Sequence, residues 1–582
     1  SANQDDTASH YIFMTTPTLV LAPIDLTKKY GEDYNIDKHT KGVKDTNYTV
    51  IGTIYDSAAA SDEEQLINAV KSIAISSKGF DKQASVGTYK GDTEGILLNI
   101  VWKDGTPLKK TTASTNGYLV EVKTGILTIT PASLVIDVTG KRTYGATKSG
   151  DTFASATYTV NDSTKAIANG LKDFDAAKYT QQVYKTATYK DNTLENTAAK
   201  TSYTSIDGTY LTLGTTTQAA DVLKNYTVFY HDIYTIEKAD LTINVTAERG
   251  YGDTKNTKTG LFDTGTYTVD NSNIAQTHGL KSWDATAYNS AINNGASKLA
   301  DSTDATTNAG TYTDGKIALT AAVKASSVLA NYNVTYTDKY IIDKAALTIT
   351  TTGSKTYGDA DPATSSYKMT ASGWKNSDAT SVWNANKSTW QETITNSTDE
   401  TTAKGTYTGV LGYSSATMPT DLANYNVTYK DRFVINPATL DVTVEGSKVY
   451  GDASSTNISD YNANANAAQL KNSNTVDLSG LTLTNSVGKT DNVGSYYNNY
   501  TGETNTADNV TVSGTLTGAS GFKASNYDIH YHTKYQVTPA PLTITTTGSK
   551  TYGEAEPAND SYSAYATGWK NSDEATIWNA NK

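Results

Sequence analysis

His530 and His532 stand two residues apart in a strand-like run, a spacing that puts both imidazoles on one face and could seat a metal ion. Zinc takes three or four ligands, and no acidic cluster is paired with these two, so a pair of solvent-facing histidines beside Tyr531 is the plainer reading. His10, His39, His231 and His278 are scattered. Asp359-Ala-Asp361-Pro and Glu554-Ala-Glu556-Pro could offer oxygens to calcium at a domain junction, with ligands from both neighbours. Asp452 has no matching acidic residue before a proline, and Asp is also an ordinary turn residue. Trp374, Trp383, Trp569 and Trp578 could stack a sugar. They recur at matching places in two copies of one segment, which argues instead for the packing of a duplicated element. Zero Cys removes thiol catalysis, cysteine-ligated zinc and disulfides. Nucleophilic triads, phosphate-binding glycine loops and carboxylate dyads are absent at any convincing spacing. The expectation is a protein that is not an enzyme, with no catalytic residue, cofactor or metal.

Repetition sets the framework that must position these residues. Tyr-Gly recurs at Tyr30, Tyr144, Tyr251, Tyr357, Tyr450 and Tyr552, at intervals of 114, 107, 106, 93 and 102 residues. Thirteen residues before each Tyr stands Pro17, Pro131, Lys238, Lys344, Pro437 or Pro539. Thirteen residues before the last four of those stands Asn225-Tyr226, Asn331-Tyr332, Asn424-Tyr425 or Asn526-Tyr527. A constant spacing inside a drifting period means a fixed junction with variable loops. Two more motifs fall between. Gly-(Thr/Ser)-Tyr begins at Gly87, Gly208, Gly310, Gly405 and Gly494, and Gly-(Leu/Trp)-Lys-x-x-Asp spans Gly170–Asp175, Gly279–Asp284, Gly373–Asp378 and Gly568–Asp573. Leu347–Lys387 and Leu542–Lys582 agree at 29 of 41 positions, a mark of recent duplication.

The 582 residues exceed one core and suggest roughly four to six units of 100–150 residues. With 41 Tyr, 10 Pro and abundant Thr, the chain reads as folded and β-rich. Leu347–Thr351, Leu440–Val444 and Leu134–Val138 alternate as strands with one buried face, and the Gly-Ser-Lys-x-Tyr-Gly-Asp stretch after them reads as a turn. A helix is expected in the first repeat, capped by Ser61 with Glu64 and burying Leu66, Ala69, Val70 and Ile73. The closing segment, such as Tyr425, Val427, Tyr429, Phe433 and Ile435, reads as a hairpin turning at Lys430–Arg432. One long strand has the same parity. No Gly/Ser linker separates one repeat from the next, so neighbours should articulate little.

The order strand, Lys-x-Tyr-Gly-Asp, Gly-(Leu/Trp)-Lys-x-x-Asp, Gly-Thr-Tyr, Asn-Tyr, strand resembles the tandem MBG or YDG repeats of giant bacterial surface adhesins, the filamentous-haemagglutinin-like proteins. The resemblance covers the chain from about residue 10 onward. It implies a mainly β protein, a linear tandem array of about five complete small domains, each β-grasp-like with one short helix; immunoglobulin-like sandwiches are the alternative. The expected division is 1–16, the last strand of a preceding repeat around Tyr11 and Phe13; complete repeats at 17–130, 131–237, 238–343, 344–436 and 437–538; and 539–582, the first half of a further repeat. The two partial ends suggest a window on a longer array, or halves that complement each other between chains.

The family implies a stalk role at the extracellular bacterial surface and transfers no catalytic residue. A net charge of −12 disfavours nucleic acid and anionic lipid, and no apolar run is long enough to span a bilayer. Expected partners are the neighbouring repeats, with other copies of the chain or a host or bacterial surface as further candidates. The rival reading is repeats that self-associate or bind glycans directly.

Overall fold

The computed structural model describes residues 18–34, 48–52, 70–102, 112–113, 119–293, 295–414, 417–506 and 509–582. His10, Tyr11, Phe13, Pro17, His39, Ser61, Glu64, Leu66 and Ala69 lie outside them. The chain is mainly β, built of repeated small sheets. It forms two compact units, Ser1–Val245 with Thr268–Ala300 and Ala318–Asp338, and Thr246–Tyr267 with Asp301–Ile317 and Lys339–Lys582.

In the first unit, the second repeat opens with a twelve-residue strand, Ala132–Thr143. Its alternate residues Ala132, Leu134, Ile136 and Val138 are buried, as period-two patterning demands. It pairs in parallel, residue for residue, with a closing strand of equal length, Tyr226–Glu237. A second strand, Thr157–Val160, runs antiparallel to the opening strand. An edge strand, Lys200–Ser205, runs antiparallel to the closing one. In the second unit the fourth repeat has the same order: Lys368–Ser372, Ala345–Thr356, Tyr425–Asn436 and Gly405–Tyr407. So has the fifth: Asn462–Ala465, Ala438–Val449, Tyr527–Thr538 and Gly494–Asn498.

Four sequence expectations need correction. The closing segment is one strand, without a hairpin. Its parallel partner requires a crossover, which the body of the repeat supplies, and the two central strands then match in length. Asp431, assigned to the turn, sits within this strand and accepts the amides of Gly409, Val410 and Leu411 at 2.6, 2.9 and 3.0 Å. Those donors outweigh burial and hold its carboxyl below the ordinary range.

Likewise the opening strand runs on through Gly-Ser-Lys and turns only at Tyr-Gly. Strand parity therefore turns Lys28, Arg142, Arg249, Lys355 and Lys448 inward, and all five are buried. A buried cation needs acceptors, and each takes a carbonyl of the loop before the edge strand: Asp81, Leu194, Asp304, Asp399 and Val487, at 2.6, 2.6, 2.6, 2.9 and 3.1 Å.

Val70 and Ile73 belong to a strand, Val70–Ser76, paired with Leu97–Trp102, and not to a helix. Later repeats do carry helix. Asp162 caps Ser163–Ala168 by accepting from Lys165 N at 2.9 Å, and residues 379–392 are helical in the fourth repeat. Among the described residues of the fifth repeat there is no α-helix between the second and closing strands. A further strand pair, Thr475–Asp477 with Thr517–Ala519, stands in that region. Its Asn-rich approach lacks apolar periodicity and favours turns.

Finally, Gly208-Thr209-Tyr210 is not the counterpart of the other Gly-Thr-Tyr motifs. Tyr89, Tyr312, Tyr407 and Tyr496 each donate to a carbonyl four residues back, at Ser85, Asn308, Ala403 and Asn492. In the second repeat Tyr203 makes the equivalent bond, to the carbonyl of Ala198 five residues back, at 2.8 Å. A bulge in its strand shifts the register there.

The glycine of Gly-(Leu/Trp)-Lys explains itself. Gly373 has φ +104°, and a Cβ there would stand 2.3 Å from the Ala346 carbonyl oxygen of the opening strand. Gly373→Ala combines left-handed strain with overpacking, so about 2–5 kcal/mol of stability is lost. A lower urea midpoint at unchanged slope is the expected measurement.

Candidate functional site

The motif residues converge on the joints between successive repeats. At three of them a carboxylate of one repeat accepts hydrogen bonds from two buried tyrosines, one contributed by each side of the joint. Asp175 accepts from Tyr30 at 2.9 Å and Tyr226 at 2.6 Å. Asp284 accepts from Tyr144 at 2.9 Å and Tyr332 at 2.5 Å. Asp378 accepts from Tyr251 at 2.9 Å and Tyr425 at 2.5 Å. The first tyrosine of each pair belongs to the Tyr-Gly of the preceding repeat, the second to the Asn-Tyr of the following one. Each pair also meets edge to face, with ring centroids 5.4, 5.5 and 5.6 Å apart. A fourth joint uses Asn474, whose side-chain oxygen lies 2.8 Å from Tyr527 and 3.4 Å from Tyr357. The sequence reading missed this copy, because Leu470-Lys471-Asn472-Ser473-Asn474 departs from the motif at both its Gly and its Asp.

Secondary contacts complete the latch. The second tyrosine's hydroxyl accepts from a backbone amide, that of Lys172, Lys281, Lys375 or Lys471, at 2.9–3.0 Å. The same lysine's stem lies over the preceding repeat's glycine. A Cβ at Gly31, Gly145, Gly252 or Gly358 would fall within 2.2–2.4 Å of it, and all four glycines have φ near +80°. From the other side, Asn225, Asn331, Asn424 and Asn526 accept the amides of Val86, Ala199, Ala309 and Lys404 at 2.8–3.0 Å. Between these joints the linker is a single residue: Pro131, Lys238, Lys344 or Pro437 separates one strand from the next.

Burial first, and then the shared carboxylate, push the tyrosines' pKa values up, Tyr144 to about 12. Tyr30, Tyr226, Tyr332 and Tyr425 are raised by the same two causes in the same order. A proton held this firmly in a buried site is not available for transfer near neutrality. These groups join the two repeats.

Other candidate residues have partners of their own. Asp359 pairs with Lys471 of the next repeat at 2.8 Å, and Asp361 with buried Lys355 at 2.8 Å. Glu556 meets Lys550 at 2.6 Å, and Asp452 meets Lys570 at 2.9 Å. Trp383 and Trp390 are buried with rings 6.0 Å apart, and Trp374 packs on Trp383 and Tyr425. His530 pairs with Asp528 at 2.9 Å and His532 with Asp441 at 2.8 Å. His231 and His278 also meet aspartates, Asp137 and Asp270. Among the described residues no group of three or more His, Asp or Glu gathers as a metal site.

For His532, burial lowers the pKa, but the bonds to Asp441 and the Asn499 carbonyl outweigh it and raise it above 6.5. The stability this pair contributes is complete below pH 6.5 and is lost as pH rises through the folded value. The thermal midpoint should therefore fall between about pH 6 and about pH 8, and the fall should shrink in Asp441→Asn.

No known family model matches the chain, and no curated protein matches it.

Proposed function

We propose that this chain is a non-enzymatic structural segment of a long bacterial cell-surface adhesin or extracellular filament, a stalk that spaces a distal binding region from the cell. In this reading it comprises about five complete β-grasp-like repeats in tandem. The carrying observation is that one latch, with one-residue linkers, recurs at consecutive joints while the loops between vary. The resemblance to MBG or YDG repeats and the −12 charge, which disfavours nucleic acid, agree with a surface role.

Electron microscopy of the purified chain tests the proposal. The expected result is a thin beaded thread, with beads about 35–40 Å apart. A single compact globule overturns the stalk, and laterally bundled fibres replace it with self-association.

A further inference from the structure

We propose that the outer sheet face of the second repeat docks a second copy of this chain about a two-fold axis. Such docking needs one repeat only and is independent of the stalk. The two central strands, Ala132–Thr143 and Tyr226–Glu237, bury Leu134, Ile136, Val138, Tyr234 and Ile236 on one side of their sheet. Period two sends the residues between them to the other side. There Phe229 and Ile233 are 47% and 37% exposed. Val135 lies beside Phe229 in the register, and Thr139 and Thr204 lie beside Ile233. Ile206, two residues past Thr204 at the end of the edge strand, is 80% exposed.

Folding does not require apolar groups at these places. Val135, Phe229 and Ile233 correspond to Thr348, Thr428 and Arg432 in the fourth repeat and to Asp441, His530 and Lys534 in the fifth, on strands paired in the same register. An exposed apolar patch without a packing role marks an interaction surface. Charge, complementarity and area make its occupant another copy of the chain. The chain carries −12 overall. On this face, however, the charges of the central strands are matched, Asp137 by Lys165 and His231 at 3.1 Å each and Glu237 by Lys141 at 2.8 Å. Two copies that meet here avoid the repulsion their net charge imposes. The described residues of the first, third, fourth and fifth repeats expose Ile126, Ile274, Trp283, Tyr429 and Val493 as large apolar side chains, scattered one or two to a repeat. The matching apolar face among these repeats is therefore the same face on the other copy, which makes the contact isologous. At about 3.3 Å per residue and about 4.8 Å between strands, the four strands present about 500 Å², so two copies bury about 1,000 Å² in all, the lower end of a specific interface. The two sheets then stack face to face with Phe229 of each between them. A two-fold contact closes on itself and makes pairs, not bundles.

Sedimentation equilibrium of the intact 582-residue chain supplies the test. The expected result is a closed monomer–dimer equilibrium, with hydroxyl-radical labelling of Phe229 and Ile206 falling as the dimer forms. Phe229→Thr combined with Ile233→Arg installs the side chains that the fourth repeat carries at these positions, so the sheet keeps its fold. That double variant should weaken the dimer about a hundredfold, as loss of two central apolar anchors does. Ile206→Asp, at an exposed side chain beyond the strand, should weaken it about tenfold without touching the sheet. Val493→Thr, in the fifth repeat, should leave the dimer unchanged. A chain still monomeric at about 1 mM, a dimer that survives both second-repeat variants, or one equally weakened by Val493→Thr overturns the proposal. A monomer imaged as a beaded thread sinks this docking alone. A two-fold dimer of compact globules sinks the stalk alone.

Discussion

Asp378→Ala should uncouple the third and fourth repeats while leaving the fourth folded. Asp378 is the common acceptor of Tyr251 and Tyr425, both buried. Tyr425 keeps the Lys375 amide as a donor but loses its own acceptor, and Tyr251 loses the same one. Hydrogen bonds to a charged group are worth about 1.5–3 kcal/mol each, so about 3–6 kcal/mol of coupling goes. By contrast the rim pair Lys471–Asp359 is partly exposed and is worth at most about 1 kcal/mol. Asp378→Asn should cost much less, because Asn474 does the same work at the next joint through one close and one longer bond. The check is a denaturant titration, in which the Ala variant gains a separate early transition. A double-mutant cycle with Tyr251→Phe should return at least about 1.5 kcal/mol of interaction. An unchanged unfolding curve would remove the latch from the account of stiffness.

Alkali should dismantle the protein cooperatively between about pH 10 and about pH 12. Burial raises the phenols of Tyr144, Tyr158, Tyr230 and Tyr461 to about 12 from the ordinary value of 10.0. A raised folded value means that the folded chain keeps protons the unfolded chain would release. The stability tied to these groups is therefore whole below pH 10 and is lost as pH climbs through the folded values. Many tyrosines share this direction, so the loss accumulates across the core and the joints together. Tyrosinate absorbance should lag the ordinary titration and then rise abruptly with loss of the β-sheet circular dichroism signal. A smooth titration of all 41 tyrosines near pH 10, with the sheet intact, would contradict the burial described here.

Much of this fold is legible in the residues. Period-two alternation marks the central strands, and the thirteen-residue interval from Asn-Tyr to the junction residue, and again to Tyr-Gly, marks the closing strand, the one-residue linker and the next opening strand. Of the four recurring tryptophans Trp383 is buried, Trp374 packs on it and on Tyr425, and Trp569 and Trp578 pack on each other with ring centroids 5.9 Å apart. What was misread depended on partners far away in the chain. A hairpin and a long strand have the same parity at Tyr425–Asn436, and only the parallel neighbour Ala345–Thr356 decides between them. The Gly208 motif matched in letters, but Tyr203 performs the hydrogen bond that defines the position.

From the sequence alone came the β class, the repeating motifs and the close junctions, because alternation and spacing are local properties of the chain. The tertiary structure decided what the motifs are for. Tyr30 and Asp175 are 145 residues apart, Tyr144 and Asp284 are 140 apart, and Tyr251 and Asp378 are 127 apart. No local rule connects them. They meet because parallel pairing of the first and last strands brings each repeat's end back beside its beginning. That return sets the Tyr-Gly turn of one repeat against the Asp and Tyr of the next.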